Sequence, residues 1–106
     1  MVQASEESAR ALVIGAARAL KEGAAKYGAF NWRTTKVELM TYIGAIQRHL
    51  AAYTDGEDVD PESLTGKTHL EGIAACVAIL LDVTTGGFSI DNRPPPGPAP
   101  RLVRTP

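Results

Sequence analysis

The chain has 106 residues, 44% of them apolar, with 11 basic and 12 acidic side chains, a net charge of −1 and a single cysteine. That length allows one small domain, the charge balance leaves no basic stripe for duplex nucleic acid, and lone Cys76 excludes an internal disulfide or a Cys-paired structural zinc. Arg10, Arg18 and Lys21 interrupt the N-terminal apolar residues, so no signal peptide is expected, and the longest apolar run, Ile73 to Leu81, is too short to span a bilayer.

A first helix is predicted from Ser5 to Tyr27, with Leu12, Ala16, Leu20, Ala24 and Tyr27 at helical spacing. Ser5 before Glu6 and Glu7 reads as its N-cap and acidic first turn, and Gly28 falls where a left-handed C-terminal cap belongs. A second helix is predicted from Lys36 to Tyr53, with Leu39, Ile43, Ile46, Leu50 and Tyr53 on one face. Thr35-Lys36-Val37-Glu38 is a capping-box pattern at its start. A short turn is expected at Asp60-Pro61-Glu62-Ser63, because proline suits a first helical position. The third helix is predicted from His69 to Thr85, behind a second capping box at Thr68 and Glu71. Its inward face is expected to be Leu70, Ile73, Val77, Leu80 and Leu81, and Gly86-Gly87 ends it. No stretch alternates with period two for long enough to predict a strand. Residues 91–106 carry six of the seven prolines and are expected to be either disordered or laid in extended form across a surface.

The expected fold is therefore all-α: a small bundle of three main helices plus a short turn over residues 1–90, followed by a Pro-rich extended tail over 91–106. A domain of this size buries only about 60–65% of its unfolded surface. Homo-oligomerisation, to a homodimer or homotetramer, is expected to complete the core. The expected setting is the cytoplasm.

The chemistry concentrates between the second and third helices. Asp55, Glu57, Asp58, Asp60 and Glu62 fall within eight residues, flanked by His49 and His69. Such clustering is costly unless the carboxylates are solvated or neutralised by cations. An EF-hand does not fit, since counting from Asp58 the sixth position is Ser63 and the twelfth His69. Oxygen ligands with open positions suit Mg²⁺ or Mn²⁺, ions that share substrate phosphates. An antiparallel hairpin of the two helices would bring His49, His69 and Glu57 to one end. There each imidazole is either a structural, hydrogen-bonded group or a ligand, phosphate contact or proton carrier. Glu38 and Glu71 have local explanations as capping-box partners, whereas Asp82, near a helix C-terminus, opposes the dipole. The connector Lys26-Tyr27-Gly28-Ala29-Phe30-Asn31-Trp32-Arg33 is either an aromatic clasp over the bundle end or a site that stacks a base and pairs a phosphate.

Taken in order, Lys26-Tyr27-Gly28, Asn31-Trp32-Arg33, Tyr42 and Ala45 before Arg48-His49-Leu50-Ala51, Asp55-Gly56-Glu57 with Asp60 and Glu62-Ser63, and His69-Leu70 form a series. Ala75-Cys76, Ile79-Leu80-Leu81-Asp82 and Asp91-Asn92-Arg93-Pro94 extend it. The series resembles the dATP/dGTP diphosphohydrolase family found largely in bacteriophages, an offshoot of the MazG-like all-α nucleotide pyrophosphohydrolases, over about residues 20–100. The resemblance implies hydrolysis of a purine deoxynucleoside triphosphate, dGTP or dATP, to the monophosphate and pyrophosphate with Mg²⁺ or Mn²⁺, in an all-α oligomer that shapes the nucleotide pool. In a phage the setting would be the host cytoplasm.

The roles that follow are expectations. Glu57, Asp60 and Glu62 hold the metal with help from His49 or His69, and water activated there attacks the α-phosphorus. Arg48, Lys26 and Arg33 neutralise the triphosphate. Trp32, Asn31 and the tail residues Asp91 and Arg93 contact base or sugar. The paired Glu-x-x-Glu and Glu-x-x-Asp helices of the wider MazG group are absent in that form. Many relatives have a second histidine where this chain has Gly72; either Glu71 takes over its role or the ligand set differs. The rival readings are a non-catalytic helical interaction module and a dNTP-binding sensor.

Overall fold

The structure, a computed structural model, describes residues 2–97, with side chains from Ser5 onward. Helix α1 spans Val2–Tyr27 and a single turn, α2, spans Asn31–Thr34. Strand β1 is Val37–Glu38, followed by α3 over Leu39–Thr54, α4 over His69–Gly86 and strand β2 over Ser89–Ile90. The fold is an all-α bundle in which α4 is central, packed against both α1 and α3.

Local signals set several boundaries. Gly28 takes φ +91° and its N–H donates to the Ala24 carbonyl, closing α1 as a glycine cap does. Thr68 and Glu71 form a complete capping box at α4, and Gly87, left-handed at φ 77°, ends it. Upstream, α1 begins at Val2, so Ser5 lies inside the helix and is not its N-cap. Gln3 and Ala4 are good helix formers and give no reason to stop there.

The capping box expected at Thr35 does not form. Val37 and Glu38 are extended and pair in parallel with Ser89 and Ile90, and α3 starts at Leu39 with no cap from the Glu38 side chain. Its cap comes from the tail: the Met40 N–H donates to Asn92 Oδ1 at 2.9 Å, and Asn92 Nδ2 donates to Glu38 Oε2 at 3.2 Å. Two residues per strand are too few for a period-two pattern. The described part of the tail, residues 91–97, carries no helix or strand, and residues 98–106 lie outside the described region.

The core is thin. Leu39, Ile79 and Val83 form its centre, with Leu20, Trp32, Val37, Tyr42, Ile43, Leu80 and Phe88 packed around them. The inward face of α4 is corrected by the structure. Gly72, Ala75, Cys76, Ile79 and Val83 are buried, while Leu70, Val77 and Leu81 are exposed. A helix flanked on two sides must approach its neighbours closely, which favours small residues inside and leaves the leucines out. In the same way Leu12 and Tyr27 of α1 and Leu50 and Tyr53 of α3 are exposed, not buried. Helix α4 is long and apolar enough, by length and composition, to cross a membrane, but a third of it is buried in the bundle.

Candidate active site

Helices α3 and α4 meet at the end where the acidic loop joins them. The loop is pinned rather than free: Val59 and Thr68 form an antiparallel bridge, the Asp60 N–H donates to the Lys67 carbonyl, and the His69 N–H donates to the Asp58 carbonyl. The predicted turn at Asp60–Ser63 is present, closed by Ser63 N–H to the Asp60 carbonyl and by Glu62 N–H to Asp60 Oδ1 at 2.9 Å. A clasp from α1 holds the loop from the other side. Glu22 accepts hydrogen bonds from Ser63 Oγ, Thr65 Oγ1 and the Leu64 N–H, at 2.8 to 3.1 Å. These donors, that of Ser63 first, pull the Glu22 carboxyl below its ordinary value.

The hairpin brings His49, His69 and Glu57 together. The Nδ1 atoms of the two histidines are 2.8 Å apart, one donating and the other accepting, and His69 Nε2 lies 2.6 Å from Glu57 Oε1. His69 is buried at 5% exposure with both ring nitrogens engaged, as a buried polar group must be. His49 lies against α4 at Gly72. A Cβ there would stand 2.8 Å from His49 Nε2, so only glycine leaves room for the ring. Burial first, then nearby Lys67, holds the His49 imidazole below its ordinary pKa, with Asp60 opposing. Asp60 faces Lys67 Nζ at 3.7 Å, and its carboxylate lies with the His49 and His69 nitrogens inside a 4.8 Å cluster.

Around this cluster opens a polar cleft of about 460 Å³, lined by Glu22, Lys26, Arg48, Glu57, Asp60, Glu62 and Lys67 among others. A second compartment of about 310 Å³ shares Tyr27, Arg48, His49 and Lys67 as a common wall and adds Asn31, Trp32, Tyr42, Cys76 and Ile79. The connector is fixed there by Asp82. Its Oδ2 accepts from the Trp32 indole N–H at 2.7 Å and from Arg33 Nε at 2.9 Å, and its Oδ1 accepts from Arg33 at 2.7 Å. Arg33 and then Trp32 hold the Asp82 carboxyl down to about 2, which accounts for an acid near a helix C-terminus. Glu71 is likewise used locally, in the capping box and paired with Arg18 at 3.1 Å.

Of the residues singled out in the sequence, Lys26, Arg48, His49, Glu57, Asp60, Glu62 and His69 line the polar cleft, and Asn31 and Trp32 line the second compartment. Arg33 is turned onto Asp82. Asp91 and Arg93 pair with each other at 2.7 Å and line neither compartment. Sequence reasoning assigned no role to Glu22, Lys67 or Tyr42. Lys67 had a signal in its place beside Thr68-His69 and Tyr42 in its place in the motif series, while Glu22 joins the site only through packing.

Fold and site define a helical domain with a charged cleft opening beside an aromatic chamber. The family model described as dATP/dGTP diphosphohydrolase, N-terminal, matches residues 4–93, and the chain belongs to that family. Searches of curated proteins and of solved structures return no match.

Proposed function

We propose that this protein hydrolyses a purine deoxynucleoside triphosphate, dGTP or dATP, to the monophosphate and pyrophosphate. The observation that carries the reading is the two-compartment cleft: cations and carboxylates on one side, an amide and aromatic rings on the other, with His49, Arg48 and Lys67 between. The family match supports the same reading.

In this proposal Lys26, Arg48 and Lys67 offset the charge of the triphosphate, and Asn31, Trp32 and Tyr42 receive the nucleoside. Arg33, paired with Asp82, holds the indole of Trp32 in position. Asp91 and Arg93, placed with β2 and the α3 cap, take no direct part. A divalent cation, Mg²⁺ or Mn²⁺, when bound in the cleft, lowers the charge on the phosphates and polarises water. Glu57, Asp60 and Glu62 all line the cleft, and Asp60, beside the two histidines, offers an oxygen donor of the kind such ions take. The exposed Leu70, Val77 and Leu81 of α4 are proposed to meet a second copy of the chain, since a row of large apolar residues in water is unfavourable.

Incubation with each of the four dNTPs and with Mg²⁺ or Mn²⁺, followed by separation of the products, tests the reading. Monophosphate and pyrophosphate from dGTP or dATP are expected. Metal-dependent binding of dNTPs with no turnover would favour a sensor, and no binding at all an interaction module.

A further inference from the structure

The carboxylates of the loop do not share one metal position. Among the described residues, the ligand atoms that lie within 4.8 Å of one another are those of His49, Asp60 and His69, and Glu57 and Glu62 are not in that group. Glu57 is instead bonded to His69 on the ring nitrogen opposite the cluster. That is the arrangement by which a metal-ligating histidine is usually held: a carboxylate takes the proton of one nitrogen, and the lone pair of the other is aimed at the ion.

We propose that His49 Nδ1, His69 Nδ1 and an Asp60 carboxylate oxygen bind a divalent first-row transition ion of the Mn²⁺ or Co²⁺ type, in preference to Mg²⁺, with Glu57 as the residue that positions His69. The inference rests on the nucleotide reading for what the ion does, and on geometry alone for where it binds.

The distances favour one coordination geometry. With metal–nitrogen bonds of about 2.1 Å, two adjacent ligands of an octahedral ion are about 3 Å apart, whereas a tetrahedral ion needs about 3.4 Å. The two Nδ1 atoms stand 2.8 Å apart, close to that octahedral spacing, and an ion takes the place of their hydrogen bond once both rings turn their lone pairs from each other onto it. Two imidazoles and one carboxylate leave three positions open, a donor set typical of mid-series divalent metals. Mg²⁺ prefers oxygen ligands and near-ideal octahedral geometry, so the nitrogens discriminate against it.

The protons balance without loss. Both imidazoles ligate as neutral bases. His69 keeps its proton on Nε2, where Glu57 accepts it, and His49, whose Nδ1 proton makes the hydrogen bond to His69 Nδ1, gives that proton to solvent and takes one on Nε2 as the ion enters. Lys67, 3.7 Å from Asp60, is the competing cation and has to give way as the ion enters.

The test is binding of Mn²⁺, followed by its electron-spin resonance signal, and of Co²⁺, followed by its visible absorption, to the full chain without nucleotide. The expected result is that both ions bind, that an excess of Mg²⁺ does not displace Mn²⁺, and that His49→Ala and His69→Ala abolish the site. Glu57→Ala is expected to weaken binding about 10- to 100-fold. Glu57→Gln, which still accepts from Nε2, restores most of it. If the histidine variants misfold by circular dichroism, Asp60→Asn serves in their place: it keeps the turn to the Glu62 N–H but loses the charge, and must bind Mn²⁺ more weakly. Mn²⁺ binding unchanged in these variants, or equal competition by Mg²⁺, overturns the inference. Turnover of dNTPs with ion binding indifferent to the histidines would overturn it while leaving the hydrolase reading intact. Histidine-dependent binding without turnover would do the reverse.

Discussion

His49 and Gly72 are in direct contact across the α3–α4 interface: a Cβ on residue 72 would meet Nε2 at 2.8 Å, Cε1 at 3.0 Å and Cδ2 at 3.1 Å. An imidazole ring cannot bend away from such a contact as the end of a flexible chain does. Gly72→Ala is therefore expected to lose about 1–3 kcal/mol by overpacking, despite alanine's better helix propensity. The Nδ1 contact with His69 is expected to break with it. A lower denaturant midpoint together with altered histidine ring signals in NMR checks this, and an Ala variant more stable than the parent would refute it.

Asp82 ties the aromatic connector to α4 through Trp32 and Arg33. In Asp82→Asn the carboxylate is lost, the indole gains freedom, and KM for a dNTP is expected to rise more than kcat falls. Tryptophan emission should shift at the same time. The pH dependence follows from the sign of the shift. The carboxyl titrates at about 2 in the folded protein against an ordinary 3.8, so the folded state favours its charged form. The stabilisation is complete above the ordinary value and fades as pH falls from 3.8 towards 2. Denaturation midpoints of parent and variant should differ at neutral pH and converge over that range.

Asn92 caps a helix that begins more than fifty residues earlier in the chain. Replacing it with alanine removes the acceptor for the Met40 N–H and the bond to Glu38, and is expected to cost about 1 kcal/mol, as helix caps do. Amide exchange at the first turn of α3 should quicken. Unchanged exchange would mean that β1–β2 pairing alone holds the helix start.

What could be seen in the sequence was what local chemistry decides. The Thr68–Glu71 box, the Gly28 cap and the turn at Asp60–Ser63 each depend on residues within a few positions, and each forms. The meeting of His49, His69 and Glu57 was legible too, because an antiparallel hairpin of successive helices sets the end of one beside the start of the next. Non-local choices were not. Thr35 matches a capping pattern, but Ser89 and Ile90 offer Val37 and Glu38 a competing ladder. The leucines of α4 look like a core stripe until α1 and α3 both press on its small-residue face. Glu22 and Asp82 carry roles set by partners 41 and 50 residues away, which no spacing rule reaches.

The most direct measurement of the central claim is the fate of oxygen when dGTP is turned over with Mn²⁺ in water enriched in heavy oxygen. Attack of water on the α-phosphorus places the label in the phosphate of dGMP and leaves pyrophosphate unlabelled. Label in pyrophosphate, release of inorganic phosphate with dGDP, or no cleavage of any purine dNTP would contradict the account.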